Sequence, residues 1–351
     1  MQAPMRQRVP QLDLLRGIAV LMVMLFHYPL FNVFRIGWAG VDLFFVLSGF
    51  LISGLLFTDW KRNGRIRVGH FLLRRGFKIY PAFYFLLISM LAPTLIFRID
   101  HPLERVGAEL FFLQDYFPHI WTHTWSLAVE EQFYLLLPLL LLILGMTRKR
   151  DPFRSIPYLA IGLIALCLAL RVARHPSESE QVQYAFHLRA DTLFAGVALG
   201  YLFHFRPKMF NAVSRWPLLV VAIVALIPLF CFRSGSDAPW VLTCNLIGFV
   251  AAVWWIVPRS NIRMPLVEQV GVYSYSIYLW HFPVALPLVL YFSRTYRLHW
   301  LLLYVVVSIA VGIYMSRLVE MPILLKRDEC LERLRPKARD VAPTCCGSAA
   351  T

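Results

Sequence analysis

Two side chains able to do acid–base or anion-binding chemistry lie in an otherwise apolar run near the N-terminus. The stretch DLLRGIAVLMVMLFHY, residues 13–28, holds Arg16 and His27. A helix turns ~100° per residue, so their spacing places them within ~20° of one direction and ~16 Å apart along the axis. His27 can serve as a general base, and Arg16 can bind an anion. Asp13, one turn before Arg16, can form an ion pair with it.

Both residues also have a structural interpretation. Arg16 can extend its charge to a membrane surface, and His27 can cap the end of the helix. A central arginine costs ~2.5–3.5 kcal/mol on membrane-insertion scales, and such residues usually face a polar cavity. The pair therefore indicates a chemical site only if other motifs supply the remaining parts.

A basic cluster follows in HFLLRRGFKIYPAFYF, residues 70–85, where Arg74, Arg75 and Lys78 fall within about one helical turn. Such a cluster can bind a polyphosphate, because arginine forms bidentate phosphate contacts and lysine supplies a mobile charge. The alternatives are contact with anionic lipid headgroups and a plain topological signal.

Two further stretches place charged residues at the starts of apolar runs. In THTWSLAVEEQFYLLLP, residues 122–138, Glu130 and Glu131 diverge by ~100° on a helix, so we expect only one to face the interior. That carboxylate can orient a histidine or accept a hydroxyl proton, or the two form an interfacial structural pair. In HLRADTLFAGVALG, residues 187–200, Arg189 and Asp191 can bind a polar acceptor or form an interfacial charge pair. The glycines at 196 and 200 predict close helix packing.

The composition indicates where these motifs must sit. With 59% hydrophobic and 16% charged residues, the 351-residue chain cannot form a soluble domain without large exposed apolar patches. Apolar runs of about 17 to 25 residues can each cross the bilayer as a helix. We therefore predict an all-α, multi-pass membrane protein with about ten transmembrane helices, at residues 12–33, 36–57, 79–97, 125–146, 155–174, 188–205, 217–233, 240–257, 271–292 and 300–320.

The remaining segments are expected to lie outside the spans. Residues 107–121 are predicted to be interfacial or re-entrant. Residues 1–320 are expected to form the membrane domain, and residues 321–351 a partly disordered cytoplasmic tail.

Basic residues predict the orientation. Ten spans put both termini in the cytoplasm, and the cytoplasmic segments then hold 24 of the 35 Lys and Arg residues, against seven outside and four within spans. This bias accounts for the net charge of +15, and no nucleic-acid motif accompanies it, so no nucleic-acid binding is expected. The cysteine spacings predict neither a disulfide framework nor a metal site.

Six motifs in order carry a family resemblance: the Arg-x10-His pattern of Arg16 and His27, GVDLFFVLSGFLISGLL at 40–56, RRGFKIYP at 74–81, WSLAVEEQFY at 125–134, RADTLFAG at 189–196 and YSYSIYLWHFP at 273–283. On these the chain resembles the acyltransferase 3 family of integral-membrane acyltransferases, in the stand-alone form without an added extracytoplasmic hydrolase-like domain. Lys78 departs from the family pattern, which commonly has the second arginine of an Arg-x-x-Arg pair there.

The resemblance implies an enzyme of the cell (inner) membrane. It implies transfer of an acyl group, commonly acetyl, from cytoplasmic acyl-CoA to a hydroxyl of an extracytoplasmic glycan or glycolipid. Acyl-CoA is then a donor co-substrate, membrane lipids surround the protein, and no tightly bound cofactor is expected. His27 is implied as general base or as a nucleophile that carries the acyl group.

The other implied roles fall into three groups. Arg16 and Asp13 hold the pocket or stabilise charge, and Glu130 or Glu131 orients His27 or the acceptor. Arg74, Arg75, Lys78 and Tyr80 are expected to bind the donor. Trp125, Ser126, Arg189 and Asp191 are expected to bind the acceptor, with Trp125 stacking on a sugar face. His281 is interpreted as a hydrogen-bonded packing residue, with a catalytic role as the less favoured alternative, and Glu320 as a partner of nearby basic groups.

Two other classes of function fit the intramembrane charges. A transporter of a glycan, lipid or small anion uses them as a passage and needs no acyl-CoA. A noncatalytic scaffold needs Arg16 and His27 for assembly and forms no covalent product. Loss of acylation in a correctly inserted His27→Ala variant distinguishes the enzyme from both.

Overall fold

The computed structural model describes residues 9–28, 32–96, 102–147, 151–174, 183–213, 215–232, 238–259, 261–287, 291 and 298–333. Within these ranges every regular element is a helix and none is a strand. The predicted all-α class is therefore confirmed.

Fifteen α-helices are described. They are α1 Pro10–His27, α2 Gly40–Asn63, α3 Val68–Ile96, α4 Leu103–Leu110, α5 Trp125–Gly145, α6 Ile156–Ala173, α7 Phe186–Phe205, α8 Pro207–Ala212, α9 Arg215–Leu226, α10 Pro228–Cys231, α11 Pro239–Ile256, α12 Pro265–Val272, α13 Ser274–Trp280, α14 Leu298–Met315 and α15 Met321–Arg333. A 3-10 helix, Asn32–Ala39, precedes α2. One turn of π-helix, His281–Ala285, follows α13, and another, Ser316–Glu320, follows α14.

Six helical segments in the described part of the chain are long and apolar enough to span a membrane: Pro10–His27, Ile36–Asn63, Trp125–Gly145, Ile156–Ala173, Pro239–Ile256 and His299–Glu329. The predicted count of about ten is not confirmed. α3 and α7, of 29 and 20 residues, are long enough to cross ~30 Å of hydrocarbon but carry charged side chains.

Membrane character also shows on the outer surfaces of the helices. Tyr158, Ile161 and Val172 of α6 are all more than half exposed, and α6 carries few polar side chains. A helix that presents large apolar side chains outward is stable where lipid surrounds it, since its backbone groups are paired internally.

Glycines let α2 and α7 approach closely. A Cβ atom on Gly49 would lie 1.9 Å from the carbonyl oxygen of Leu193, and one on Gly196 would lie 2.2 Å from that of Val46. No side chain fits at such distances, so the close packing predicted from the Gly196 and Gly200 spacing is confirmed.

Buried ion pairs tie α7 to its neighbours. Arg189 pairs with Asp42 of α2 at 2.5 Å, and Asp191 pairs with Arg171 of α6 at 2.8 Å. Asn245 of α11 donates a further hydrogen bond to Asp42 at 3.2 Å. Arg189 and Asp191 therefore pair with other helices rather than with each other, and they hold four helices together.

The segment 107–121 contains the end of α4 and an irregular connector. α4 has eight residues and is too short to cross the bilayer. Thr124 donates a 2.8 Å hydrogen bond to the buried Glu109 carboxylate, and the backbone N–H of Ile120 donates one of 3.2 Å. Gln132 and the N–H of Phe186 bind Asp115. The connector is thereby fixed against the starts of α5 and α7.

The predicted tail begins with a helix, because α15 continues the chain from Met321 to Arg333. The rest of the predicted tail, 334–351, lies outside the described residues.

Candidate active site

The central cavity, here called the glutamate cavity, lies among α1, α2, α3, α5 and α13. Its empty space, including the part open to solvent, is about 870 Å³. Its polar and charged lining residues are Arg16, Ser48, Arg75, Lys78, Ser126, Glu130, Glu131, Tyr134, Tyr275 and Tyr278. Its apolar lining comes mainly from α2, including Val41, Phe44 and Phe45.

Both glutamates of α5 border this cavity, so the expectation that only one faces the interior is wrong. Glu130 accepts hydrogen bonds from Ser48 of α2 at 2.6 Å and from Tyr134 at 2.8 Å. Glu131 accepts one from Tyr80 of α3 at 3.0 Å. The cavity is wide enough between α2 and α3 that side chains diverging by ~100° both reach it.

A second cavity, the arginine cavity, adjoins the first, because Arg75 and Lys78 line both. It lies where α2 ends and α3 begins. The ionisable residues that line it are Asp59, Arg62, Arg67, His70, Arg74, Arg75, Lys78 and Arg327. The three basic residues of the predicted phosphate-binding cluster are therefore brought together, with further cations around them.

Each member of that cluster has a different partner, and Arg74 forms a 4.0 Å ion pair with Asp328. Lys78 forms an ion pair with Glu320, whose carboxylate also accepts a 2.8 Å hydrogen bond from Ser276. Glu320 ends the π turn after α14, and its predicted pairing with a basic group is confirmed. The Arg75 guanidinium lies 5.3 Å from the centre of the Tyr134 ring.

A third cavity, the histidine cavity, lies at the end of α1 that carries His27. Its lining residues are Val23, Phe26, His27, Trp38, Val41, Trp125, Gln183, Tyr184, Arg189 and Leu242. Val41 also lines the glutamate cavity, so the two spaces meet at its side chain. Arg16 and His27, predicted to share one stripe, thus line neighbouring cavities.

Three histidines from distant parts of the chain gather at this point. His27 Nδ1 lies 3.1 Å from His281 Nε2 and 3.0 Å from the Val23 carbonyl oxygen. The His123 ring centre is 5.4 Å from that of His281 and 6.4 Å from that of His27. The hydrogen bond that reaches His27 from another helix therefore comes from His281, whereas Glu130 and Glu131 bind residues of α2, α3 and α5.

One wall of the histidine cavity is built around Trp125. Its ring stacks on Tyr184, with centres 4.6 Å apart, and the Arg189 guanidinium lies 5.3 Å from its centre. Arg189 is fixed there by its ion pair with Asp42. The wall combines aromatic surface with a fixed cation.

The remaining predicted residues are distributed as follows. Ser126 lines the glutamate cavity, and its hydroxyl lies 2.6 Å from that of Tyr278. Asp13 borders a separate surface cavity with Arg263 and Glu268 instead of the cavity that holds Arg16. Asp191 is fully buried with Arg171.

Sequence reasoning missed His123 and Tyr278, and for His281 it favoured a packing role over a catalytic one. His123 stands two residues before Trp125 in the motif-bearing stretch, and Tyr278 and His281 share the stretch YSYSIYLWHFP. The position of all three residues in or beside motif-bearing stretches was a signal that could have found them. Their meeting could not be read from spacing, since His27 and His281 are 254 residues apart.

These features define an all-helical protein of membrane character, with a basic cavity toward one end of the helices and a histidine cavity toward the other. The family model described as "Acyltransferase domain", that of the acyltransferase 3 family, matches residues 9–317, so the chain belongs to this family.

Curated relatives agree with this assignment. Peptidoglycan O-acetyltransferase OatA of Listeria monocytogenes is 28% identical over 312 residues, covering 80% of this chain and 50% of that protein. A putative O-acetyltransferase of Staphylococcus aureus strain COL is 30% identical over 311 residues, covering 79% and 50%. The O-acetyltransferase OatA of S. aureus strain NCTC 8325 is 29% identical over 307 residues, with the same coverage. The chain spans about half the length of these relatives. No solved structure matches it significantly.

Proposed function

We propose that the protein transfers an acyl group, most often acetyl, from cytoplasmic acyl-CoA to a hydroxyl of an extracytoplasmic glycan or glycolipid. The observation that carries the proposal is the position of Val41, which borders both the glutamate cavity and the histidine cavity. A donor entering past Arg75 and an acceptor resting beside His27 can therefore meet at one residue.

The donor is proposed to lie along the arginine cavity and the glutamate cavity. Its phosphates bind the arginine cavity, where Arg74 and Arg75 offer bidentate contacts and Lys78 a point charge. Its long arm runs through the glutamate cavity past Arg16, and brings the thioester to Val41. Because Arg16 lines the glutamate cavity, its position supports a role in holding the donor rather than in contacting the acceptor.

His27 is proposed to remove the proton of the acceptor hydroxyl as its oxygen attacks the thioester carbonyl. A C–O bond forms, the C–S bond breaks, and the proton passes to the departing thiolate. Base catalysis of this kind supplies ~10²–10⁴-fold. The alternative route forms an acyl-histidine first and transfers the acyl group from it. Both routes need an unprotonated ring nitrogen on His27.

The acceptor is proposed to rest against the wall made by Trp125, Tyr184 and Arg189. Aromatic surface and a fixed cation suit a sugar that carries polar or acidic substituents. The relative named a peptidoglycan O-acetyltransferase makes a cell-envelope glycan the first acceptor to test.

The proposed orientation puts the arginine cavity on the cytoplasmic side, as the distribution of Lys and Arg predicts. Both termini are then cytoplasmic, and the protein resides in the cell (inner) membrane.

The test compares envelope glycans by mass spectrometry in cells lacking the gene and in cells complemented with wild-type protein, His27→Ala or His204→Ala. His204 lies on α7 outside the three cavities and is the matched control. We expect an acyl mass shift that requires the gene, persists in His204→Ala and disappears in His27→Ala at equal membrane levels.

The same variants are then tested as purified protein in lipid vesicles with radiolabelled acetyl-CoA. Label transferred to glycan by the wild type but not by His27→Ala supports the proposal. Unchanged transfer in His27→Ala overturns the catalytic assignment. Movement of glycan across the vesicle membrane without any acylated product indicates the transporter instead.

A further inference from the structure

His281 makes two hydrogen bonds that together determine where its proton lies. Its Nδ1 is 2.6 Å from the carbonyl oxygen of Tyr278, three residues earlier in the chain. A carbonyl oxygen only accepts, so Nδ1 carries the hydrogen. His281 is fully buried, at 0% exposure, where the uncharged ring has the lower cost. A neutral imidazole has one N–H, so His281 Nε2 is an acceptor.

The proton on His27 follows from this. His27 Nδ1 faces two atoms, the Val23 carbonyl oxygen at 3.0 Å and His281 Nε2 at 3.1 Å. Both are acceptors, so Nδ1 carries the hydrogen and shares it between them. The lone pair of neutral His27 is then on Nε2.

We propose that His281 is a positioning residue that fixes His27 in the tautomer with hydrogen on Nδ1, leaving Nε2 as the atom that removes the acceptor proton or carries the acyl group. This rests on the proposed function. The Val23 carbonyl belongs to the same helix as His27 and lies one turn away, so it constrains the ring at one side only. His281 adds an acceptor from a second helix and also stabilises the Nδ1–H of the imidazolium that forms when Nε2 takes a proton.

The π turn beginning at His281 accounts for the placement of this side chain. α13 ends at Trp280, and the wider turn His281–Ala285 follows it directly. Single π turns interrupt α-helices frequently at functional sites, since they displace a side chain from its ordinary direction.

His123, the third histidine, is engaged elsewhere, because its Nε2 lies 3.3 Å from the Leu279 carbonyl oxygen.

Two substitutions separate the two hydrogen bonds of His281. The side-chain amide of Gln reaches about as far as imidazole Nε2, so His281→Gln keeps an acceptor toward His27. The shorter amide of Asn reaches about as far as Nδ1, so His281→Asn keeps only the donor toward Tyr278. We expect His281→Gln to retain kcat within about tenfold and His281→Asn to lose ~10²-fold or more, because a misplaced base forfeits most of its contribution. KM for acyl-CoA is expected to stay unchanged in both.

A purely structural role predicts the opposite order, since the bond to Tyr278 holds the end of α13 and only Asn preserves it. Equal or reversed kcat values for the two variants overturn the proposal. Thermal unfolding of both variants in detergent checks that each is folded.

A second measurement does not depend on turnover. In ¹⁵N solid-state NMR of histidine-labelled protein in bilayers, the His27 signals are assigned by their loss in His27→Ala. We expect an unprotonated Nε2 in the wild type and in His281→Gln, and a mixture of tautomers in His281→Asn. A protonated Nε2 in neutral wild-type His27 contradicts the inference. If the wild type instead transfers no acyl group, the proposed function fails while the tautomer assignment stands or falls on the spectra.

Discussion

Arg189 and Asp42 form an ion pair, 2.5 Å from Nη2 to Oδ1, with both side chains almost completely buried between α7 and α2. The guanidinium also forms part of the wall of the histidine cavity. One residue therefore links the packing of two helices to the shape of the proposed acceptor site.

Removing Asp42 is expected to destabilise the protein strongly. Asp42→Ala leaves the Arg189 charge buried without its partner, which typically costs ~3–5 kcal/mol. The control is Asp59→Ala, which breaks the more exposed Arg67–Asp59 pair and is expected to cost ~0–1 kcal/mol. Thermal or denaturant unfolding in detergent measures both. Equal losses of unfolding free energy in the two variants would contradict the larger contribution expected of the buried pair.

Lys78 and Glu320 are expected to act as a unit in donor binding. Lys78→Ala leaves the nearly buried Glu320 carboxylate unpaired beside the arginine cavity, where it repels phosphate. We expect acyl-CoA affinity to fall ~10- to 100-fold, since a charge-assisted bond contributes ~1.5–3 kcal/mol. Adding Glu320→Gln to that variant removes the repulsion and is expected to restore part of the affinity. Titration calorimetry measures this, and additive losses in the double variant would contradict it.

Arg75→Ala is expected to weaken acyl-CoA binding more at low salt than at high salt. Charge interactions at a partly exposed site are screened over ~10 Å at 0.1 M salt, so part of the Arg75 contribution fades as salt rises. Arg65→Ala is the matched control, because Arg65 is exposed just before α3 and lines neither the glutamate cavity nor the arginine cavity. Binding that is unchanged in Arg75→Ala removes the donor-site assignment.

Glu109 makes the stability depend on pH near neutrality. Burial raises the pKa of its carboxyl from 4.5 to about 7, although hydrogen bonds from Thr124, Ile120 and Trp121 oppose this. Because the folded pKa lies above the unfolded one, this contribution to stability is fully present below about pH 4.5 and is lost as pH rises through about 7. Glu109→Gln mimics the protonated form. We expect the Tm of the wild type to fall relative to Glu109→Gln between pH 5 and pH 8, and parallel profiles would refute the assignment.

The orientation is tested by cysteine labelling in intact cells. With the native cysteines replaced, Arg65→Cys and Leu103→Cys both present exposed positions, and Leu103 is 88% exposed. A membrane-impermeant maleimide is expected to label Leu103→Cys from outside and Arg65→Cys only after the cells are opened. Labelling of both from the same side would contradict the placement of the arginine cavity in the cytoplasm.

Local sequence patterns predicted much of the fold. Long apolar runs indicated membrane helices, and the spacing of Gly196 and Gly200 indicated the close contact that α7 makes with α2. The basic cluster was also predicted as a unit, because Arg74, Arg75 and Lys78 are neighbours on one turn and stay together whatever the tertiary structure does.

Contacts between distant segments could not be predicted from those patterns. His281 and Glu320 lie in or at the end of π turns, which have no simple sequence signal, and each binds a residue more than 200 positions away. Helix geometry predicts that Arg16 and His27 point within ~20° of the same direction. It does not predict that they line different cavities, because side chains of α2 and α5 determine where each cavity ends. Adjacent glutamates both reached the cavity because its width depends on helix spacing.

The meeting of two cavities at Val41 has a consequence for the membrane itself. In the described part of the chain they are separate spaces that share one apolar lining residue. Under the proposed function, the acyl group passes from donor to acceptor at this residue without a continuous file of water through the protein. Under the proposed function, an extracytoplasmic glycan is then acylated from a cytoplasmic donor while the electrochemical gradient across the membrane is kept.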